Sequence, residues 1–343
     1  MSMELEETNK KMNLMVSINC ITFNHEKYIS KSIDSFLSQV TNFEFEILIG
    51  EDCSTDNTRK IVEEYVYKFP NKIKLITSNK NVGMIKNFER VKENSKGKYI
   101  AICEGDDYWT DPYKLQKQVN FMEENPECSM CYHAAEIIDA RNNNRLGFTR
   151  PYNKTFILPS EKLFIGGGHI CPTASILYIR KLMIKPPNFY YESPVVDHAL
   201  ALVLSNQGKV GYIDQVMSVR NLWVPGSWNT EFQNEQTKNK KITHLNKMIK
   251  VLDDFNEYSV EKWRNDVNKN LYSWKVELYI LRGNTKPLKN EEIKKIFKKL
   301  NKKQQLKIYS ILTMPRLYKK LAILKQQIKK YLLNIEIEDS GVK

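Results

Sequence analysis

Apolar runs and helix-forming segments alternate along the first hundred residues of this chain. The apolar runs predict strands at 14–21, 45–50, 72–77 and 98–103. The segments between them, at 29–37, 57–68 and 82–94, have apolar residues at helical spacing. Alternation of this kind demands a mostly parallel sheet with right-handed crossovers. The chain is therefore predicted to have an α/β fold in which helices flank the sheet.

Two of the predicted strands run directly into acidic turns, Glu51–Asp56 and Glu104–Asp107. Because ligands of open α/β sheets bind outside the carboxyl ends of the strands, we expect both turns at one ligand-binding edge. Acids spaced D-x-D can offer oxygens to a hard divalent cation that also grips a diphosphate. The alternative for the second turn is a solvated cap of the helix that starts near Pro112, with Asp111 as N-cap.

Four segments of this half resemble the inverting family 2 glycosyltransferases, which have the GT-A fold. The segments are Val16–Ile29, Glu51–Thr58, Asn81–Asn87 and Gly97–Asp107. They match the family in order and spacing, each at the corresponding end of its predicted element. A lone D-x-D occurs by chance in many chains, whereas this set of four is specific. The resemblance covers residues 13–225 and thins beyond them.

The resemblance implies a pocket for a nucleotide-sugar donor. It gives Asp52 the contact with the nucleotide base and places Glu104 near the ribose. The residues implied in nucleotide binding are Thr22, Asn24, Asp52, Asn81 and Glu104. Two departures from the family stand out. Glu51 and Cys53 replace the usual acid and glycine, and Glu104 stands where aspartate is commoner, so its carboxylate reaches one methylene further.

The resemblance also implies a cation, Mn²⁺ or Mg²⁺, that neutralises the charge developing on the departing diphosphate. Asp106 would bind it, and Asp107 would support it with oxygens that could also reach the metal. Related transferases often carry an arginine after a later strand, and sometimes a histidine two residues beyond. Arg220 fits the first position, but Leu222 occupies the second. Diphosphate oxygens and water would then complete the coordination.

Inversion requires one general base that takes the proton of the acceptor hydroxyl. The family places it as an aspartate that opens a helix, and Asp197 matches that position. The alternative is that Asp197 only complements the dipole of its helix, which is worth about 0.3–1 kcal/mol. His198 points about 100° away around the helix, so we expect it to contact solvent or the acceptor.

Further residues are predicted to lie near the acceptor or the diphosphate. His169 follows three glycines, which allow a backbone to pass close to a ligand. Arg220 is predicted to bind the diphosphate. Trp223 and Trp228 flank a Pro-Gly pair in a predicted loop that could close over the sugar. The alternatives are that the glycines form only a flexible loop and that the tryptophans pack the domain against the C-terminal region.

Six cysteines lie mostly in or beside predicted strands, which suits small buried thiols and a reducing compartment. Cys128 and Cys131 have C-x-x-C spacing near His133, but no second pair is present, so a fifth strand is favoured over a zinc site. Residues 1–12 lack the apolar run of a secretory signal. No stretch reaches the roughly 18 apolar residues of a membrane span. We therefore expect a cytoplasmic protein, or one peripheral on the inner face of the membrane.

Charge divides the chain into two parts. Residues 1–230 hold 27 basic and 27 acidic residues, whereas residues 231–343 hold 26 and 13. In the second part, apolar residues recur at helical spacing among lysines, at Leu317, Leu321, Leu324, Ile328 and Leu332. Such basic helices suit an anionic membrane surface or a partner chain, and the alternative is that the apolar stripe packs onto the catalytic domain. No nucleic acid is expected, because no recognised motif is present and arginines are few.

The sequence thus predicts a polar tail (1–12), a GT-A catalytic domain (13–225) and a basic, mostly helical region (226–343). The predicted function is metal-dependent, inverting transfer of a sugar to a hydroxyl of a glycan or lipid-linked glycan, as in surface polysaccharide biosynthesis. The family resemblance favours a UDP-sugar as the donor. One alternative is a sugar nucleotidyltransferase. Such enzymes have a glycine- and arginine-rich phosphate loop after the first strand, and the corresponding segment here, Thr22–Lys27, does not resemble it. The other is an inactive GT-A domain that binds a membrane or partner through the basic tail.

Overall fold

The computed structural model describes residues 13–158, 170–227, 230, 238–260, 262–282, 291–300, 302, 305–306 and 309–310. The strands are β1 (Leu14–Thr22), β2 (Glu44–Glu51), β3 (Ile73–Ile76), β4 (Tyr99–Ile102), β5 (Tyr108–Trp109), β6 (Cys128–Asp139), β7 (Asn144–Thr149), β8 (Phe156–Leu158), β9 (Leu177–Ile179) and β10 (Lys209–Leu222). The helices are α1 (Ile29–Leu37), α2 (Thr58–Lys68), α3 (Met84–Asn94), α4 (Lys114–Glu124), α5 (Asn188–Glu192), α6 (Val196–Gln207), α7 (Lys238–Tyr258), α8 (Arg264–Leu281) and α9 (Glu291–Lys299). Short 3₁₀ turns cover Thr173–Ser175 and Arg180–Met183.

The strands form one sheet in the order β3-β2-β1-β4-β9-β6-β10-β5, with β7 beside β6 and β8 beside β10. Strands β3, β2, β1 and β4 are parallel, and β10 is parallel to β6. Strand β9 runs antiparallel between β4 and β6. The predicted fold class, a mostly parallel sheet flanked by helices, is confirmed. The C-x-x-C segment begins β6, as predicted, and both of its cysteines are free and buried.

The sheet has a hydrophobic core on each face, because successive side chains of a strand point to opposite faces. In β4, Tyr99 and Ala101 belong to one core, and Ile100 and Ile102 belong to the other. Both faces are covered, which explains why the parallel strands are continuous apolar runs. Helix α1 completes the first core with Ile29, Ile33 and Phe36, which are all fully buried. Each such side chain contributes about 1.5–3 kcal/mol on burial.

Helices α7 and α8 share the second core with the predicted catalytic domain. Val251, Phe255 and Leu271 belong to the same cluster as the side chains of β4 and α6. Trp263 Nε1 donates to Asn206 Oδ1 at 3.0 Å. Hence the described part of the basic region, up to α8, packs against residues 13–225.

Helix α9 packs in turn on α8. Ile293 and Phe297 of α9 form a small cluster with Val276 of α8. The apolar side of α9 is therefore covered by the protein itself. The apolar stripe predicted at 317–332 lies outside the described residues. Among the helices that the structure describes, none is both long and apolar enough to cross a membrane.

The carboxyl ends of β1, β2 and β4 meet at one edge of the sheet. Thr22 is in register with Glu51 across β1 and β2. The Gly105 N–H donates to the Ile21 carbonyl at 2.9 Å, which ties the second acidic turn to the end of β1. The two acidic turns thus lie side by side, as the alternation of elements predicts.

Candidate active site

A cavity of about 440 Å³ opens at this edge. Most of the residues predicted to form the site line it, namely Thr22, Asp52, Asn81, Glu104, Asp106, Asp107, Asp197 and Arg220. Sequence reasoning missed several other lining residues, which include His25, Thr173, Asn221, Gly226 and Ser227. The cavity therefore brings together residues from the end of β1 to the loop after β10.

Asp52 occupies a fixed position in the cavity wall. Its Oδ1 accepts the Val82 N–H at 2.9 Å, and its Oδ2 accepts the Gly83 N–H at 2.8 Å. The Arg90 guanidinium lies 3.5 Å from Oδ1. Gly83 has φ +86°, which glycine adopts without strain. Because a carboxylate has about four acceptor sites, Asp52 can still accept a hydrogen bond from a ligand.

The turns after β1 and β2 hold each other in place. Asn24 Oδ1 accepts the Thr55 N–H at 2.8 Å, and the Asn24 N–H donates to Ser54 Oγ at 3.0 Å. Asn24 and Cys53 have φ of 56° and 62°, in the left-handed region that costs non-glycine residues energy. The structure thus places Asn24 between the two turns and not among the residues that line the cavity.

Glu51 holds the turn after β2 through hydrogen bonds of its carboxylate. Its carboxylate accepts the Ser54 N–H at 2.5 Å and Arg59 Nε at 2.6 Å. Although burial opposes ionisation, these hydrogen bonds lower the pKa of Glu51. Its departure from the family pattern is therefore compensated by an ion pair with Arg59.

The second acidic turn concentrates negative charge. Burial, and then the charges of Asp106 and Asp197, raise the pKa of Glu104 to about 8. Burial, and then Asp106 and Glu104, raise the pKa of Asp107 well above its usual range. Among the described residues that line the cavity, Arg220 carries the only permanent positive charge. Ionising these neighbouring carboxyl groups together is therefore costly, and a bound cation would favour their charged forms.

The donor set at this edge fits a hard divalent cation. Glu104, Asp106 and Asp107 offer carboxylate oxygens at one cavity, which are the donors that Mg²⁺ and Mn²⁺ take. No group of three or more metal-ligating side chains is preformed in the part of the chain that the structure describes. The protein would therefore supply one or two carboxylates, and ligand oxygens and water would supply the rest.

His25 links the end of β1 to the second acidic turn. Its Nδ1 lies 3.2 Å from Thr22 Oγ1, and its Nε2 lies 3.9 Å from Asp106 Oδ2. The His25 N–H donates to Thr58 Oγ1 at 2.8 Å. The signal for this residue was its place directly after a predicted strand end. The imidazole is thus held beside the carboxylate predicted to bind metal.

Asp197 lies in the first turn of α6 and faces the cavity. Its Oδ1 accepts the His198 N–H at 2.6 Å, and its Oδ2 accepts Thr173 Oγ1 at 3.3 Å. The carboxylate thus lies at the N-terminus of its helix, between a backbone N–H and a hydroxyl. Since one oxygen holds only a long hydrogen bond, the carboxylate can also accept a proton from a ligand in the cavity.

His198 and Trp223 lie away from the cavity. His198 is buried, and its ring makes an edge contact with the Trp274 ring of α8, with 6.4 Å between the ring centres. The expected contact with solvent is therefore not observed. The physical reason is that α7 and α8 cover α6. The centre of the Trp223 ring lies 4.8 Å from the guanidinium carbon of Arg141. The backbone of Trp223 has φ +67°. Gly226 and Ser227 of the same loop do line the cavity. His169 and Trp228 are outside the described residues.

Comparison with known proteins gives a family and a fold. Residues 17–183 match the family model described as Glycosyl transferase family 2. Over 123 residues, the chain is 42% identical to an uncharacterized protein of Mycobacterium tuberculosis. The match covers 36% of this chain and 36% of that relative, so the chain spans about a third of the relative's length.

Two solved structures have a similar fold. One is S. aureus TarS 1-349 in complex with UDP-GlcNAc, with a TM-score of 0.58 and 16% identity over 92% of this chain and 88% of that chain. The other is the mannosyltransferase PcManGT from Pyrobaculum calidifontis in complex with GDP-Man and Mn2+, with a TM-score of 0.54 and 12% identity over 94% and 87%. At these identities, the likeness shows the fold alone.

Proposed function

We propose that this chain, of which residues 17–183 match the family model described as Glycosyl transferase family 2, transfers a sugar from a nucleotide-sugar donor to an acceptor hydroxyl with inversion. The proposed donor is a UDP-sugar, and the proposed acceptor is a glycan or lipid-linked glycan, as in surface polysaccharide biosynthesis. The similarly folded TarS is bound to UDP-GlcNAc, which supports a uracil nucleotide.

One observation carries the proposal. A single cavity holds the fixed carboxylate of Asp52, the acidic turn at Glu104–Asp107 and the carboxylate of Asp197. Transfer from a nucleotide-sugar needs three groups in one place. They are a hydrogen-bond acceptor for the base, a cation site that offsets the negative charge of the diphosphate, and a proton acceptor for the incoming hydroxyl.

Asp52 would orient the nucleotide base. Its carboxylate is already held by two backbone N–H groups, so it does not need to reorganise when the base binds. It accepts hydrogen bonds and donates none, which favours a base edge with an N–H, such as that of uracil. Thr22 and Asn81 line the cavity beside it, and Glu104 would lie near the ribose.

Asp197 would act as the general base. It would accept the proton of the acceptor hydroxyl while that oxygen forms a bond to the anomeric carbon, and the bond from this carbon to the phosphate oxygen breaks. The nucleoside diphosphate leaves with its electron pair. Attack from the face opposite the leaving group inverts the anomeric configuration. Arg220 lines the same cavity and would stabilise negative charge there.

Asp106 and Asp107 would hold the divalent cation, Mn²⁺ or Mg²⁺, and the similarly folded mannosyltransferase is bound to Mn2+ with GDP-Man. Such an ion, when bound, compensates the charge that develops on the departing diphosphate. The Asn221 N–H donates to Asp107 Oδ1 at 2.8 Å and restricts this carboxylate, and His25 Nε2 lies 3.9 Å from Asp106 Oδ2. The protein's own contribution is therefore a pair of neighbouring acids.

Calorimetric titration of UDP, with and without Mn²⁺, tests this function. We expect the wild-type chain to bind UDP far more tightly with Mn²⁺, and the Asp106→Asn variant to lose this dependence. The control is Asp34→Asn, because Asp34 is an exposed carboxylate of α1 that bonds Tyr65 and lies outside the cavity. Screening of UDP-sugars for transfer would come next.

Two results would contradict the proposal. Metal-dependent UDP binding by Asp106→Asn at the wild-type level would show that the metal is held elsewhere. Absence of binding to UDP, GDP and dTDP by the wild-type chain would remove the transferase function and favour a binding module that acts through the basic C-terminal region.

A further inference from the structure

A second cavity, of about 670 Å³, lies beside the active-site cavity. Gly83, Met84 and Pro194 line both of them, so the two are contiguous. Pro194 belongs to the turn that leads from α5 to Asp197. We call this second cavity the α3–α5 groove, and its polar lining consists of Lys86, Glu89, Arg90, Glu93 and Tyr191. Its volume is within the usual range for small-ligand sites.

One face of α3 supplies the charged groups of the groove. Lys86, Glu89, Arg90 and Glu93 are spaced by three and four residues, so they lie on the same side of the helix. Two cations and two anions give this face no net charge, while it offers both hydrogen-bond donors and acceptors. Such a surface suits an uncharged polyhydroxyl ligand, whereas a diphosphate or an anionic headgroup would meet both glutamates.

Several of these groups are held in place before any ligand binds. Glu89 Oε2 accepts Lys92 Nζ at 2.6 Å, and its Oε1 accepts Tyr190 OH at 3.1 Å. Tyr191 is 42% exposed, and its ring makes an edge contact with the Tyr190 ring at 5.2 Å. The groove therefore presents a supported aromatic face next to the fixed carboxylate of Glu89. An aromatic face accepts the apolar C–H side of a sugar ring, and the carboxylates accept its hydroxyls.

We propose that the α3–α5 groove is a subsite for an acceptor glycan. It would bind the neutral sugar residues that lie beyond the one that receives the transferred sugar. This inference rests on the proposed transferase function, because the groove meets the cavity at Pro194, three residues before Asp197, and at Gly83 and Met84. Binding energy from remote sugars would help to position the acceptor hydroxyl.

The test measures binding of the full chain to an array of neutral oligosaccharides of increasing length, with monosaccharides and sulfated oligosaccharides as competitors. We expect the wild-type chain to retain a neutral oligosaccharide in preference to its monosaccharide. Tyr191→Ala should weaken that binding about tenfold, because the stacking face is lost. Glu93→Gln should weaken it less. Tyr67→Ala is the matched control, since Tyr67 is 88% exposed on α2 and lies outside both cavities.

Calorimetric UDP binding in each variant separates the possible failures. UDP binding with no retention of any neutral oligosaccharide would overturn the groove subsite alone. Wild-type affinity for oligosaccharide in Tyr191→Ala, or a preference for the sulfated competitors, would overturn it too. Oligosaccharide binding that depends on Tyr191, in a chain that binds no nucleotide, would instead support the groove and contradict the transferase function.

Discussion

The two ends of the active-site cavity are built in different ways. At the nucleotide end, Asp52 is held by two backbone N–H groups and the turns after β1 and β2 bond to each other. At the proposed acceptor end, among the residues that the structure describes, the side chain of Asp197 has one hydrogen-bond partner outside its own helix, Thr173 at 3.3 Å. That end takes its position from apolar packing of α6 against the sheet, α7 and α8. The nucleotide end is thus a network of local hydrogen bonds, and the acceptor end is a product of long-range packing.

This difference suggests that donor binding and acceptor binding can change independently. The chemistry of a nucleoside diphosphate is fixed, so a rigid set of backbone donors and carboxylates can bind it in many related proteins. An acceptor varies in shape, and a wall positioned by apolar contacts can change without loss of the nucleotide site.

A buried polar junction joins the two ends. Trp109 Nε1 donates to the Ala174 carbonyl at 2.9 Å, and Gln118 Nε2 donates to the Ser175 carbonyl at 2.8 Å. Lys114 Nζ donates to Gln118 Oε1 at 2.6 Å and lies 3.9 Å from the centre of the Trp109 ring. The turn after β4 is therefore tied to the 3₁₀ segment that carries Thr173.

The largest effect is expected from Asp197→Asn, which removes the proposed base from the acceptor end. Transfer should fall by roughly 10²–10⁴-fold, the range typical of general-base catalysis. UDP binding should not change, since Asp197 is outside the network around Asp52. Initial rates and calorimetry on the same preparation check both statements. Asp254→Asn on α7 is the control. A small loss of rate would place the base elsewhere, and a loss of UDP affinity would show that the two ends are not separable.

Asp52→Asn should disrupt the hydrogen-bond network at the proposed nucleotide end. An amide has one acceptor oxygen, so one of the two bonds from Val82 and Gly83 is lost and an N–H group then faces another N–H. A hydrogen bond to a charged group is worth about 1.5–3 kcal/mol, so UDP affinity should fall by about 10- to 100-fold. Calorimetry with Mn²⁺ measures the change, with Asp34→Asn as control. Unaltered affinity would remove Asp52 from the base contact.

Lys114→Met tests the buried junction through the pH dependence of the free energy of unfolding. Burial lowers the pKa of Lys114 to about 7 in the folded chain, from its ordinary value of 10.5. Between these two values Lys114 binds more protons in the unfolded chain than in the folded one, so its contribution to stability should rise with pH. Lys114 contributes at most about 1.4 kcal/mol per pH unit to that rise. Urea unfolding at several pH values within this window measures the slope.

The Lys114→Met variant should have a smaller slope than the wild type, because methionine does not titrate. Lys60→Met replaces an exposed lysine of α2 and should keep the wild-type slope. Equal slopes in all three proteins would show that Lys114 does not titrate in this window.

The smallest effect on the cavity is expected from deletion of residues 316–343. Donor affinity should not change, because this basic segment comes after α9 in the chain and both cavities are formed by earlier residues. Binding to vesicles with anionic lipid should decrease, since each Lys or Arg near such a surface contributes about 1 kcal/mol. Co-sedimentation with anionic and zwitterionic vesicles measures it. Loss of soluble protein on deletion would favour packing of the segment onto the chain.

Sequence reasoning located most of the residues that line the proposed nucleotide end of the cavity. It located the strands, both acidic turns and six residues that line that end of the cavity, because local patterns and short turns determine them. It missed His25 and Asn221, whose parts depend on contacts with Asp106 and Asp107 from other elements. It also expected Asn24 in the pocket, whereas its side chain bridges two turns.

The sequence by itself determined the α/β alternation and the acids at the strand ends, since the period of apolar residues and the composition of a turn act over a few neighbours. Only the tertiary structure decided that Asp197, Thr173 and Arg220 meet those acids, and that His198 is buried while Trp223 rests on Arg141. The α3–α5 groove is a tertiary feature as well. These outcomes depend on how α5 to α8 pack over the sheet, and that packing is the sum of many weak contacts between residues far apart in the chain.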